Sequence, residues 1–285
     1  MVEITVLSDN TVVEPLPRGL RGEWGFAAVV DDVLLDTGQS AALHNASLLD
    51  VPVDQLDDIV VSHTHYDHTT GLLDFLEEMD HPNVYLHPEV WTHRELAREG
   101  AFEGEPLGIP YDRSTIAAKA DIVEHREPVE VADGIYALGE IPREHPDAVI
   151  GRVHDEDGIR EDQIPDDQSI VVETGDGLAL VLGCCHAGLR NTVEHAEAVC
   201  DGTVRYIIGG THLVASTPEE IHDVADWLDG TVDLIAGAHC TGSEAAGILN
   251  ERLPDVFTSI GVGSRISLES ATVTSPLAGA GSAGR

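Results

Sequence analysis

Residues 60–72 read Val60-Val-Ser-His-Thr-His-Tyr-Asp-His-Thr-Thr-Gly-Leu72, and three histidines and an aspartate fall within the six positions 63–68. The cluster directly follows an apolar run, Ile59–Val61, and precedes a helical pattern from Thr70. A loop at the carboxyl end of a strand is where α/β folds build their sites. Alternate side chains of an extended segment share a face, so His63 and His65 can reach one cation together. Asp67 and His68, past a turn, aim at a neighbouring position, and four such donors suit two adjacent cations. Imidazole and carboxylate without an obligatory thiolate favour Zn²⁺, with Mn²⁺ and Fe as alternatives, and a hydrolytic site keeps one position open for water. A solvated polar turn is the plainer reading, but such a turn would not have matching junctions elsewhere.

Matching junctions exist. Leu178–Leu182 runs into Gly183-Cys184-Cys185-His186, Val204–Ile208 into Gly209-Gly210-Thr211-His212, and Val232–Ala236 into Gly237-Ala238-His239-Cys240. Further β-type runs are Glu3–Leu7, Phe26–Val30, Val33–Leu35, Val84–Leu86, Gly134–Leu138 and Ser169–Glu173. Helical spacing marks Thr70–Glu78, Glu89–Arg98, Asn191–Val199 and Pro218–Leu228, the last behind a Ser216-Thr217 cap signal. This alternation predicts a layered α/β protein. Glu99–Gln168, rich in Pro, Gly and charge, reads as an excursion able to cover a site, and the Ser, Ala and Gly-rich stretch from Thr274 to Arg285 reads as a frayed tail.

Composition narrows the function. The 285 residues carry 52 acidic and 15 basic side chains, a formal charge of −37, and Lys119 is the single lysine. Phosphate backbones need basic patches, so nucleic acid is excluded as a general partner. The charge resembles that of proteins from extreme halophiles, in which concentrated salt screens self-repulsion. No run approaches the ~20 apolar residues of a membrane span, and Met-Val-Glu-Ile-Thr-Val begins like a strand rather than a signal peptide, so a cytoplasmic protein with no membrane contact is expected. The four cysteines (Cys184, Cys185, Cys200, Cys240) are too few and clustered for a disulfide framework and are expected to be reduced.

The His63-Thr-His65-Tyr-Asp67-His68 pattern resembles the signature of the metallo-β-lactamase-fold hydrolases. GEIPR (139–143), DDQSIVVET (166–174), GCCHAGLRNT (183–192), GGTHL (209–213) and AHCTG (238–242) resemble the dihydropterin-ribofuranosylaminobenzene 5′-phosphate synthase-like subgroup, and the likeness runs from Leu7 to about Ile266. The resemblance implies a four-layer αββα sandwich over residues 1–273, with an insertion at about 99–165, and two divalent metal ions at one edge of the sheets. His63 and His65 would hold the first ion, Asp67 and His68 the second, and His239 would complete the second site. Where relatives carry a histidine before the strand Ser169–Glu173, this chain has Pro165-Asp166-Asp167-Gln168. His186 is the choice for the missing ligand and Asp167 its competitor, with Cys184 near the bridging position. Asp36 is expected beneath the metals, orienting a ligand, and His212 in the pocket or on a metal.

The implied chemistry is hydrolysis by a metal-bridging hydroxide, with Asp67 both ligand and acceptor for the attacking water. The substrate would be a small molecule with a phosphoester, ester or lactone group, and Arg143 and Arg190 are candidate phosphate contacts. An iron-dependent redox protein on the same fold and a non-catalytic metal-binding module remain as alternatives. Oligomeric state is not legible.

Overall fold

Short branched apolar runs punctuated by acidic turns make most of the strands. Ala27–Val30 and Val33–Leu35 are joined across Asp31-Asp32 and pair antiparallel with Val30 opposite Val33; Asp31 takes the positive φ (53°) that so tight a connection needs. The computed structural model describes residues 2–96, 104–145, 152–155, 158–268 and 272–274.

Two large mixed sheets face each other. The eight-stranded sheet runs Thr272–Thr274, Arg265–Ser267, Glu3–Ser8, Ala27–Val30, Val33–Leu35, Asp58–Val60, Asn83–Leu86, Asp121–Glu124. The seven-stranded sheet runs Phe257–Ser259, Leu234–Ala238, Val204–Gly210, Gly177–Leu182, Ser169–Thr174, Ile135–Ala137, Val129–Ala132. Ile4, Val6, Phe26 and Val60 of one meet Ile170, Val181, Ile208 and Ala236 of the other in a buried inner core. Each of the Val, Ile and Phe side chains contributes roughly 1.5–3 kcal/mol on leaving water. The outer faces bury separate clusters. Leu189–Cys200, Pro218–Leu228 and Ser243–Arg252 cover the seven-stranded sheet, while Ala42–Leu48, Leu72–Glu78 and Arg113–Ala117 cover the other. The four layers are the αββα sandwich expected.

Several local expectations differ. The helix expected over Glu89–Arg98 is a one-turn 3₁₀ element, Pro88–Trp91, followed by a short strand, Arg94–Glu95, paired with Arg152–Asp155; residues 97 and 98 lie outside the described residues. The cause is ionic. Arg94 is buried, its Nε donating to Asp162 Oδ2 and its Nη2 to Asp166 Oδ1, both at 2.6 Å, which draws the chain inward and out of helical register. The stretch expected as an excursion also holds regular structure: Arg113–Ala117, and the edge strands Asp121–Glu124 and Val129–Ala132. At the other end, Thr274 is not frayed but pairs with Arg265, and 275–285 lie outside the described residues.

Candidate metal centre

Parallel strands put all their carboxyl ends at one edge. Gly177–Leu182, Val204–Gly210 and Leu234–Ala238 are parallel neighbours, so the loops carrying His186, His212 and His239 emerge side by side. From the facing sheet, Asp58–Val60 delivers His63 to His68 to the same rim. The two sheets can touch there because residue 183 is glycine: a Cβ would lie 2.2 Å from Ser62 Oγ and 2.8 Å from Asp36 Oδ2. Asp36, Cys185, His212 and His239 all hold positive φ (58°, 63°, 54°, 44°), the strained geometry that gathers at functional sites.

Among the described residues four groups of three donors result, two of which contain no cysteine. His63, His65 and His186 form one; Asp67, His68 and His239 form the other; within each, the donor atoms lie within 4.8 Å of one another and every residue is buried. In the first, His63 Nε2 is 3.0 Å from His65 Nδ1 and 3.2 Å from His186 Nε2. In the second, His68 Nε2 is 3.3 Å from His239 Nε2, and Asp67 Oδ2 lies 3.8 Å and 3.5 Å from those two nitrogens. The triads adjoin, with the His63 and His68 rings 4.3 Å apart. Cys184 stands at that junction, its Sγ 3.2 Å from His68 Nε2 and grouped with both His63 and His68.

Outer partners orient three of the rings. Asp36 accepts from Ser62 N, Ser62 Oγ and His68 Nδ1, each at 2.7 Å. Since Ser62 Oγ gives its proton to Asp36, it accepts from His63 Nδ1 at 2.9 Å. Asn10 Oδ1 accepts from His239 Nδ1 at 3.0 Å, Asn10 Nδ2 donates to His239 O, and Asp9 Oδ1 accepts from His239 N at 2.6 Å. In each ring the outer nitrogen carries a proton, so Nε2 of His63 and His239 presents a lone pair, and Nε2 of His68 becomes a ligand when a metal displaces its second proton. Carboxylate, hydroxyl and amide partners of this kind set tautomer and orientation in metal-ligating histidines.

Electrostatics agree. Burial, reinforced by neighbouring rings, holds His63, His65, His186 and His239 well below the usual imidazole range, so they are neutral. Burial lowers His68 too, but the Asp36 and Asp67 carboxylates outweigh it and raise the group to about 9. Burial raises Asp67 and carries the Cys184 thiol well above its normal value. Imidazole nitrogens converge at 3.0–3.3 Å within the triads, and the buried His65 Nε2 and His186 Nδ1 have no hydrogen-bond partner. A bound cation displaces protons from such nitrogens and turns their convergence into coordination, so the donor set fits metal ions.

The other expected residues fall into two groups. Asp36 lies against His68, its Oδ2 2.7 Å from Nδ1. Asp167 joins no donor triad among the described residues: its Oδ2 accepts from Ala187 N at 2.9 Å, and burial raises it to about 7. Arg143 donates to His186 O (3.1 Å) and Ile164 O (2.9 Å), so Asp167 and Arg143 brace the His186 loop from two sides. Arg190 lies over the Trp227 ring at 5.2 Å, and with His186 and His212 it lines a cavity of about 430 Å³. His212 stands with its ring 4.5 Å from that of His186, and burial lowers it to about 4; it belongs to no triad among the described residues. The sequence reading missed Asp9 and Asn10. Their signal was available: the strand Glu3–Ser8 also ends in polar residues, as do the strands that carry the donors.

A sequence model described as the β-lactamase superfamily domain matches residues 31–158. An uncharacterized protein of Methanocaldococcus jannaschii is 27% identical over 265 residues, covering 90% of this chain and 98% of the relative. A second M. jannaschii protein, 7,8-dihydropterin-6-methyl-4-(β-D-ribofuranosyl)-aminobenzene-5′-phosphate synthase, is 29% identical over 249 residues, covering 81% of this chain and 82% of the relative. Among solved structures, one described as a metal-dependent hydrolase of the β-lactamase superfamily superposes with a TM-score of 0.82 and 26% identity, over 94% of this chain and 99% of that one. Both of these curated relatives come from a methanogen, so they lend no support to a haloarchaeal origin. No helix among the described residues is long and apolar enough to cross a membrane.

Proposed function

Because the chain has the metallo-β-lactamase fold, we propose that it is a dinuclear metal-dependent hydrolase of a small molecule carrying a phosphoester, ester or lactone group. The observation that carries this reading is the pair of adjoining buried triads in which Ser62, Asp36 and Asn10 hold the outer nitrogens of His63, His68 and His239 and so turn Nε2 of each toward the other donors. His63, His65 and His186 would hold one ion; Asp67, His68 and His239 the other, with Cys184 between them. Imidazoles beside a thiol favour Zn²⁺ over harder ions. Bound divalent ions would supply Lewis acidity and lower the pKa of a water at the site.

The residues do the rest. Asp67 is the one carboxylate in the triads, and a carboxylate that uses one oxygen as a ligand keeps the other to accept a proton from the attacking water. Asp167 and Arg143 keep the His186 loop in place, and Asp36 keeps His68 in place. A relative is named as the synthase of a 5′-phosphate, so phosphorylated substrates belong in the first assays. The charge of −37 is read as adaptation to concentrated salt, which sets the buffer.

The test is elemental analysis of protein purified without chelator, followed by turnover of chromogenic phosphodiesters, phosphomonoesters, esters and lactones with Zn²⁺ or Mn²⁺ at low and high salt. Two equivalents of metal and turnover abolished by Asp67→Ala or His65→Ala are expected. Absence of any stoichiometric ion, or wild-type turnover in a metal-replete Asp67→Ala protein, overturns the reading.

A further inference from the structure

We propose that the cavity against the second triad is a subsite for a flat aromatic ring, with Trp24 as its platform. The substrate is then an aryl or heteroaryl ester or phosphoester; this rests on the hydrolase reading above and deepens it.

A cavity of about 550 Å³ opens beside His239, walled by Asn10, Trp24, Val214 and Ile260 among others. Among the described residues, Trp24 and Val214 are the most exposed large hydrophobic side chains, at 51% and 50%, and both line this one cavity. Exposed apolar side chains scattered singly need no account, but two together on the lip of a cleft that reaches a donor triad mark a binding surface. Tryptophan is scarce here: the chain has 3. Trp91 is tied by its Nε1 to Glu124, and Trp227 lies under Arg190. Trp24 alone is left half-exposed at the donor rim.

The indole is held in a defined pose. Its ring meets that of His239 edge-on, 5.3 Å between centroids at 63°. The next residue, Gly25, has φ +147°, and a Cβ there would lie 2.2 Å from Asp67 O, so the Trp24-Gly25 segment is seated directly on the turn that carries Asp67. An indole anchored at one edge and exposed over the rest offers an aromatic face to a ring whose reacting group points at Asp67 and His239. No arginine or lysine lines the cavity among the described residues, so nothing there would draw in a second anionic group. Its charged member, Asp9, is engaged with His239 N and Thr11 N. An uncharged ring is the chemistry that fits.

The experiment uses the metal-loaded full chain and two non-hydrolysable anions that differ only in the ring, phenylphosphonate and methylphosphonate, titrated by calorimetry. Stacking on a tryptophan face is worth roughly threefold to tenfold in affinity. The wild-type protein is expected to prefer phenylphosphonate by that factor. Trp24→Ala should lose the preference while keeping its methylphosphonate affinity within about threefold of the wild type. Trp24→Phe, which keeps a ring but not the indole N–H, should retain most of it. An unchanged phenyl-to-methyl ratio in Trp24→Ala, or no ring preference in the wild type, overturns the inference. Because the ratio is read from binding, it separates from the hydrolase reading: a protein that shows the ring preference and turns over no ester, phosphoester or lactone fails only the latter.

Discussion

Asp36→Asn changes one buried atom's chemistry at almost constant volume, and asparagine tolerates the φ of +58° found there. The wild-type carboxylate accepts three hydrogen bonds, from Ser62 N on Oδ1 and from Ser62 Oγ and His68 Nδ1 on Oδ2. An amide has one accepting oxygen, so one side of the group must now present N–H to a donor. If the amide nitrogen faces the backbone N–H of Ser62, that proton has nowhere else to go and a charge-assisted hydrogen bond is lost, at about 1.5–3 kcal/mol of folding stability. If it faces Oγ and His68, the hydroxyl can rotate but the ring must move its proton to Nε2, the atom that stands 3.3 Å from His239 Nε2. The second triad then lacks a lone pair, and loss of such an outer partner lowers metal affinity roughly 10- to 100-fold. Urea unfolding of the metal-free protein reads the first outcome, and chelator competition for each of the two ions reads the second. If the unfolding free energy shifts by less than ~0.5 kcal/mol and both affinities stay at wild-type values, the assignment of Asp36 as the anchor of His68 is wrong.

Asn10→Leu removes the acceptor on His239 Nδ1 and should weaken the second ion about 10- to 100-fold with the first little changed, whereas Asn10→Asp should bind both; chelator competition with equal losses at the two ions would sink this. Arg94→Met strips the partner from two buried carboxylates, Asp162 and Asp166, and should cost about 3–5 kcal/mol in urea unfolding at neutral pH. Burial already raises Asp166, and a folded-state value above the unfolded one costs stability as pH rises, so the deficit should be smaller at pH 5 than at pH 8; the opposite trend contradicts the assignment. With a charge of −37 and a Debye length that falls from about 10 Å at 0.1 M to about 3 Å at 1 M salt, the urea midpoint should climb with KCl across that range; a flat profile would show that self-repulsion does not limit this fold.

The inner strands were legible because burial on both faces leaves uninterrupted runs such as Ile170-Val-Val172 and Leu178–Leu182, all buried or nearly so. The edge strands were not. In Asp121-Ile-Val-Glu124 no residue is fully buried, and in a chain this acidic a solvated strand looks like the polar loops beside it. Arg94 shows a second limit. Its periodicity fits a helix, and what overrides that local preference is a pair of aspartates 68 and 72 residues away, which no window on the sequence contains. The tighter helices were found where capping chemistry is local: Thr217 and Glu220 form a reciprocal box at the start of Pro218–Leu228.

The donors themselves could be found by asking which side chains follow the last residue of a strand, and the same question, carried one step further, finds the residues that orient them. Asp9 and Asn10 follow Glu3–Ser8, Asp36 follows Val33–Leu35, and Ser62 follows shortly after Asp58–Val60. These strands belong to one sheet, and His186 and His239 come from strand ends of the other. A donor's identity is written in its own residue type, but its tautomer is set across the seam: Asn10 of the first sheet decides which nitrogen of His239 is free, and Gly183 of the second leaves room for Ser62 and Asp36. The site is therefore a property of the contact between sheets. A substitution that moves the two rims apart, such as Gly183→Ala, should lower affinity for both ions together, whereas substitutions at Asn10 or Asp36 separate them; equal metal affinities in Gly183→Ala and wild type, in a protein that still folds, would show that the seam does not set the geometry.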